Sequence, residues 1–131
     1  AGAKMACRQA LSAANHMNGE EHLDTATAHY NMGTIFEKDH EFDDAAQELK
    51  IALKVRKKLL GDDHLLTADV HFLLGSVYNR QGKFADATKE HTLALKIRQK
   101  LLSNPNHPDI KASKAGLEVS KKQKFEDEIM I

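Results

Sequence analysis

The chain repeats itself every 42 residues, and this internal duplication limits the possible folds more than any other feature. The stretch IALKVRKKLL begins at Ile51, and the closely similar LALKIRQKLL begins at Leu93, 42 residues later. Other residue pairs match at the same spacing: His22 with His64, Thr25 with Thr67, Gly33 with Gly75, and Glu48 with Glu90. A fixed period of about 20 to 50 residues indicates a repeat architecture, in which each unit buries its apolar face against its neighbours.

The apolar residues within each repeat follow helical spacing. Ile51 and Leu59 fall on one stripe, and Arg56 falls largely off it. The pattern breaks at EKDHEF and NRQGKF, where His40 or Gly82 can turn the chain. Each repeat is therefore expected to be a helix–turn–helix. The sequence predicts six helices in antiparallel pairs, near residues 4–18, 24–38, 42–60, 66–80, 84–102 and 109–125.

The repeat register extends towards both ends of the sequence. Gly19 matches Gly61, so the first helix corresponds to the second half of a repeat, and His107 lies 43 residues after His64. The prediction is one all-α domain over residues 1–131, an α-solenoid of antiparallel helix pairs. It divides into an incomplete repeat (1–19), two repeats (20–61 and 62–104) and the first or capping helix of a further repeat (105–131).

Small and aromatic residues recur at set positions, and their pattern resembles the tetratricopeptide repeat, a helical repeat of about 34 residues. The matching residues are Met32, Gly33, Phe36, Ala45 and Ala52, and then Leu74, Gly75, Tyr78, Ala87 and Ala94. His29 and His71 replace the usual Trp, and Leu49 and His91 replace the usual Phe. The 42-residue period, with GDDH and ALKIRQKLL, resembles specifically the kinesin-light-chain-like branch of the family.

This resemblance implies that the first helices of the pairs line a concave inner surface, which binds a peptide or a partner domain. By the family's geometry, the inner-face positions are Thr27, Tyr30, Asn31, Thr34, Glu37 and Lys38, followed by Asp69, Phe72, Leu73, Ser76, Asn79 and Arg80. Tyr30 and Phe72 offer rigid apolar contact, while Asn31, Asn79 and Arg80 can hydrogen-bond a peptide. Alternatively, the two rings simply pack between neighbouring helices.

The last predicted helix is rich in lysine. A basic wall at the end of the groove would be formed by Lys111, Lys114, Lys121 and Lys122. If a partner uses this wall, that partner is acidic. The alternative is that the lysines form an ordinary solvated face.

Charge and cysteine content narrow the class of partner and the compartment. The 19 basic and 19 acidic side chains cancel, so the net charge supports neither a nucleic acid nor an anionic membrane surface as the partner. No apolar run approaches the roughly 20 residues of a membrane-spanning helix. The single cysteine, Cys7, favours a reducing, cytoplasmic compartment, and we expect it to be a small buried residue.

The eight histidines suggest a metal or acid–base site, but the repeat explains why they recur. His22 and His64 fall at helix starts, where they can cap or pack, and His29 and His71 occupy a position for a large packing residue. The sequence offers no second cysteine or carboxylate set that completes a zinc site. It also lacks a phosphate-binding loop or a nucleophile elbow. We therefore expect no metal, no cofactor and no enzymatic activity.

The leading hypothesis from sequence is a non-catalytic protein–protein interaction module, or scaffold, that binds a protein or peptide ligand. One alternative is a structural segment that self-associates or stacks with further repeats through its terminal helices. The apolar side of the first helix, with Met5, Leu11 and Met17, motivates that alternative because exposed apolar stripes attract partners. Another alternative is a regulatory module of a larger protein.

Overall fold

The computed structural model describes residues 2–18 and 22–130, and the regular elements within these ranges are α-helices. They are α1 (Gly2–Asn18), α2 (Leu23–Lys38), α3 (Phe42–Leu60), α4 (Leu65–Arg80), α5 (Phe84–Leu101) and α6 (Pro108–Met130). The six predicted helices are confirmed, and the largest difference is that α6 continues beyond the predicted end at residue 125. The helices form two compact units, which we call unit 1 (α1–α3, up to residue 62) and unit 2 (α4–α6, from residue 63).

In unit 1, α3 packs along α2, and α1 packs on α2. The α2–α3 contact is close because its residues are small. Ala26, Ala45 and Ala52 are completely buried, and a Cβ atom added to Gly33 would lie 2.6 Å from Leu49 Cγ. Only a glycine leaves room for the Leu49 side chain at this crossing, which explains why the sequence has Gly at this point of the repeat.

Unit 2 uses the same crossing with a different side chain. Here α4 and α5 form the pair, and α6 packs against both of them. The residue that faces Gly75 is His91, which is completely buried. A Cβ atom at Gly75 would lie 2.7 Å from His91 Cδ2, and one at Gly116 would lie 2.5 Å from His91 Cε1. The imidazole ring of His91 therefore fills the space where all three helices of the unit meet.

The turn inside each helix pair contains one residue in the left-handed backbone region. These residues are His40, with a φ of 60°, and Gly82, with a φ of 76°. Both are the turn residues that the sequence predicts. Glycine adopts this conformation without steric cost, whereas a residue with a Cβ atom is destabilised by about 1–2 kcal/mol.

Histidine caps the first helix of each repeat. In each case the Nδ1 atom accepts a hydrogen bond from the backbone N–H two residues later: His22 from Asp24 at 3.1 Å, His64 from Leu66 at 3.0 Å, and His107 from Asp109 at 3.0 Å. A side-chain acceptor at this position satisfies one of the free N–H groups at the start of a helix. The capping role proposed for His22 and His64 is confirmed.

Two expectations about burial are wrong. Arg56, which the helical pattern places largely off the buried stripe, is only 4% exposed, whereas Ile51 and Leu59 are 43% and 44% exposed. The reason is that the buried side of α3 is centred on its small residues and on Leu49. Cys7 is half-buried rather than buried, because α1 contacts the rest of unit 1 mainly through α2, and none of the described side chains of α1 is fully buried.

Candidate functional site

The predicted inner face of α2 contains an aromatic ring that stands on a buried arginine. Tyr30 is half-buried, and the guanidinium carbon of Arg56 lies 4.6 Å from its ring centroid. A cation over the face of an aromatic ring is attracted to the π electrons, and the attraction strengthens when the cation is shielded from water. The arginine from α3 therefore holds the tyrosine ring in place on α2.

The corresponding ring in unit 2 is Phe72, and its supporting arginine also connects the helices. The guanidinium carbon of Arg98 lies 4.8 Å from the ring centroid. Its Nη2 donates to Asp69 Oδ1 on α4 at 3.0 Å, and its Nη1 donates to the Asp109 carbonyl at 3.0 Å and to Ser113 Oγ at 2.9 Å on α6. Arg98 is 4% exposed, so this one side chain supports the aromatic ring and ties α4 to α6.

The predicted inner-face residues of α2 remain accessible. Thr27, Asn31 and Lys38 are exposed, and Tyr30, Thr34 and Glu37 are half-buried. Their spacing of three and four residues places them along one side of the helix. The Thr34 hydroxyl donates to the Tyr30 carbonyl at 3.1 Å, so it offers a ligand mainly its lone pairs. This face of α2 thus combines a fixed ring with polar groups that can reach a ligand.

The predicted residues of α4 are less accessible. Arg80 is exposed, and Asp69, Phe72, Leu73, Ser76 and Asn79 are half-buried. Asn79, which we expected to hydrogen-bond a ligand, donates from Nδ2 to the Gly116 carbonyl at 3.4 Å. Its Oδ1 is buried and has no hydrogen-bond partner among the described residues. Asp69 is bonded to Arg98, and Ser76 donates to the Phe72 carbonyl at 3.2 Å. The packing of α6 on α4 accounts for much of this difference from α2.

Each helix pair also contains a histidine–glutamate contact that the sequence analysis missed. His29 Nδ1 lies 2.5 Å from Glu48 Oε2 in unit 1, and His71 Nδ1 lies 2.6 Å from Glu90 Oε2 in unit 2. The available signal was that both partners recur at a spacing of 42 residues. No group of three or more His, Cys, Asp or Glu side chains within the described ranges is placed to hold a metal ion. The two contacts join the first and second helices of each pair.

His91 is the most perturbed titratable group in the described part of the chain. Its pKa is lowered to about 4, mainly by burial and also by the nearby charge of Arg98, while the charge of Glu90 opposes these effects. Neither ring nitrogen has a hydrogen-bond partner among residues 2–18 and 22–130. The sequence signal was its place in the repeat, where unit 1 has Leu49. His91 therefore acts as a neutral packing residue at pH 7.

The four lysines that were predicted to form a basic wall lie on α6. Lys111, Lys114, Lys121 and Lys122 are all exposed. Among the described residues, these four have no ion-pair partner. None of the described helices combines the length and the apolar character that crossing a membrane requires.

Comparisons with known proteins agree with this geometry. A family model, the tetratricopeptide repeat, matches residues 24–100, which is more than half of the chain. Among solved structures, the fold is similar to that of BtubC (BKLC) from P. vanneervenii, with a TM-score of 0.73 and 22% sequence identity. That match covers 95% of this chain and 56% of the BtubC chain. A comparison with curated proteins found no match.

These findings confirm the predicted fold class, an all-α fold of the tetratricopeptide type. The matched range begins in α2 and ends in α5, so it contains both helix pairs, α2–α3 and α4–α5. Tetratricopeptide repeats generally serve as protein-interaction modules. The chain belongs to the tetratricopeptide repeat family.

Proposed function

We propose that this chain is a non-catalytic protein-interaction module that binds a peptide or a partner domain through the inner-face residues of α2 and α4. It would act as a scaffold of the kinesin-light-chain-like type in a reducing, cytoplasmic compartment. The 42-residue period supports the branch, and the single cysteine supports the compartment. The division into repeats at 1–19, 20–61, 62–104 and 105–131 within one array remains a prediction.

The observation that carries this proposal is the repeated aromatic ring on a buried arginine. Tyr30 and Phe72 occur 42 residues apart, and each is fixed by a guanidinium group at 4.6 or 4.8 Å. A ring that is already held in place loses little conformational entropy when a ligand covers it. Both rings are only half-buried, so they keep accessible surface after packing against their arginines. Half-exposed, fixed aromatic side chains are typical anchors of protein interfaces.

The two helices are expected to contribute unequally. Asn31 on α2 is exposed, whereas Asn79 on α4 donates to the Gly116 carbonyl. A ligand that hydrogen-bonds Asn31 displaces only water, but Asn79 already donates a hydrogen bond to α6 and its Oδ1 is buried, so it offers less to a ligand. We therefore propose that polar recognition depends on α2, and that α4 contributes mainly the Phe72 ring.

Affinity capture followed by direct binding measurements tests this function. Partners captured by the wild-type chain would be purified and titrated against Tyr30→Ala, Asn31→Ala, Phe72→Ala and Asn79→Ala. The matched control is Lys50→Ala, an exposed position on α3. We expect one partner to bind at least about tenfold more weakly to Tyr30→Ala and to be unaffected by Lys50→Ala. A partner that binds all five variants equally well would refute the assignment of this face.

A second candidate function, self-association through the terminal helices, is supported by exposed apolar side chains. Met5 on α1 is 64% exposed, and Val119, Phe125 and Ile129 on α6 are 51%, 62% and 65% exposed. Leu11 is half-buried, and the side chain of Met17 lies outside the described residues. Light scattering over a hundredfold range of protein concentration tests this alternative, because self-association requires the mean mass to rise with concentration.

A further inference from the structure

We propose that the junction of α5 and α6 is a second binding site, which takes an acidic peptide segment with an aliphatic side chain next to a carboxylate. The aliphatic side chain would enter a cavity between the two helices, and the carboxylate would pair with Lys114. The proposal goes beyond the function proposed above, since it involves no residue of α2 or α4.

The site contains a cavity of about 380 Å³ that opens to solvent. It is lined by Gln99, Leu102, Ser103, Pro105, Ile110 and Lys114. Ile110 is 1% exposed and supplies the buried apolar part of the lining, and Leu102, half-buried, and Pro105, exposed, add further apolar surface. Gln99, Ser103 and Lys114 are exposed polar residues at the rim. This volume is near the lower end of the range of about 300–1,000 Å³ for ligand pockets, so it suits one side chain and its backbone.

The charge of the cavity is of one sign. Among the described residues, Lys114 is the single ionisable residue that lines it, and its ammonium group has no ion-pair partner there. Two other surface depressions carry both signs. Arg8 and Glu48 line the one in unit 1, and Lys83 and Asp86 are among the residues that line the other in unit 2. The α5–α6 cavity therefore complements an anionic group without a competing carboxylate in its lining.

Helix geometry divides the four predicted wall lysines into two stripes. Lys114 and Lys121 are seven residues apart, which is close to two full turns, so both lie on the cavity side of α6 at a separation of about 10.5 Å along the axis. Lys111 and Lys122 are eleven residues apart, which is close to three turns, and they share a second stripe roughly a fifth of a turn away. The cavity lining includes Lys114 but not Lys111. Of the two lysine stripes, the one formed by Lys114 and Lys121 therefore lies on the cavity side of α6.

This spacing defines the ligand more closely. An extended peptide advances about 3.4 Å per residue, so a rise of about 10.5 Å corresponds to three residues. The matching segment has an aliphatic residue for the cavity, followed directly by an acidic residue that pairs with Lys114. Two arbitrary residues then separate it from a second acidic residue, which pairs with Lys121. The carboxylates belong to side chains, because the segment continues past both lysines.

A fluorescent probe tests the site directly. We would use the acetylated and amidated peptide Gly-Gly-Leu-Glu-Gly-Gly-Glu-Gly-Gly, labelled at one end, and measure its anisotropy in low salt against the wild-type chain. We expect saturable binding that weakens at least about tenfold in Lys114→Gln and about threefold in Lys121→Gln. The matched controls, Lys111→Gln and Lys122→Gln, remove the same charge from the same helix and should change the affinity less than about twofold.

A second pair of measurements tests the cavity. Replacing the leucine of the probe with glycine should weaken binding to the wild-type chain, and Ser103→Leu, which fills the cavity, should weaken binding of the leucine probe. Equal effects of all four lysine substitutions would show only general charge attraction and would overturn the proposal. Equal binding of the two probes, or no saturable binding, would overturn it as well. Tyr30→Ala, which lies in unit 1, should leave probe binding unchanged, so failure of this site is distinguishable from failure of the proposed function.

Discussion

Replacement of His91 by leucine is the sharpest test of the packing described for unit 2. The substitution copies unit 1, where Leu49 occupies the equivalent place against Gly33. It removes two buried ring nitrogens that have no hydrogen-bond partner among the described residues. Burying an unpaired polar group costs about 1–3 kcal/mol, and a changed side-chain shape next to Gly116 offsets part of that gain. Near pH 7.5, we therefore expect His91→Leu to be at least as stable as the wild-type chain.

The pH dependence of the same variant provides a stronger prediction. The folded-state pKa of His91 is about 4, below the ordinary histidine value of 6.5, so the unfolded chain takes up this proton first as the pH falls. The wild-type chain should therefore lose stability between pH 6.5 and pH 4, and the His91 contribution should be constant below pH 4. Because one pKa unit corresponds to about 1.4 kcal/mol, the stability advantage of His91→Leu should grow by about 3 kcal/mol across this window.

Urea unfolding at a series of pH values measures this difference. The chain has two tyrosines and no tryptophan, and Tyr78 lies on α4 in unit 2. In a Tyr30→Phe background, tyrosine fluorescence thus reports the unfolding of unit 2. The reciprocal variant, Leu49→His, should place a buried histidine in unit 1 and lower its stability. A stability difference between His91→Leu and wild type that stays constant from pH 7.5 to pH 4 would refute the assignment of His91 as a buried, neutral residue.

Four further predictions use urea unfolding followed by circular dichroism at 222 nm. Gly33→Ala should lower the free energy of unfolding by about 1–3 kcal/mol through overpacking against Leu49. In a Leu49→Ala background, Gly33→Ala should cost less. If the effects of the two substitutions on the free energy of unfolding were fully additive, that result would argue against the close helix crossing. Gly82→Ala should lower the free energy of unfolding by about 1–2 kcal/mol from backbone strain alone, since no described residue other than its chain neighbours has a heavy atom within 4 Å of the added Cβ. Arg98→Lys should lower the free energy of unfolding by at least about 2 kcal/mol, because lysine cannot replace the forked hydrogen bonds to α4 and α6. An unchanged free energy of unfolding would contradict these hydrogen bonds. His64→Ala should cost about 1 kcal/mol through loss of the helix cap, whereas an unchanged midpoint would exclude that role.

Local signals in the sequence were sufficient to predict the helices. The 42-residue period and the helical spacing of apolar residues gave six elements, and His40 and Gly82 marked the turns where φ is positive. The capping histidines were also predictable, because they stand at the break between repeats and act on N–H groups only two residues away. Each of these features depends on neighbours in the sequence, so the pattern contains the needed information.

Features that depend on three-dimensional packing were not predictable in the same way. Arg56 and Arg98 look like surface residues in a helical pattern, yet both are 4% exposed under aromatic rings of the preceding helix. Asn79 matches a ligand-binding position by family geometry, but its amide group contacts α6. Its environment depends on the helix that follows the pair, and α6 is where the repeat pattern in the sequence is weakest. The positions of the candidate residues along α2 and α4 could thus be assigned from the sequence, but their accessibility required the structure.

The C-terminal part of α6 shows how one residue can change the course of a repeat. RQGKF at residues 80–84 forms the turn between α4 and α5, and KKQKF at residues 121–125 resembles it at a spacing of 41 residues. Gly82 ends α4 with a φ of 76°, but the equivalent residue in α6 is Gln123, a good helix former that has no such freedom. The helix therefore continues to Met130, and Phe125 is 62% exposed, whereas Phe84 begins α5 and is half-buried. The residues that resemble the start of α5 thus extend α6, because Gln123 occupies the position at which a turn residue is needed.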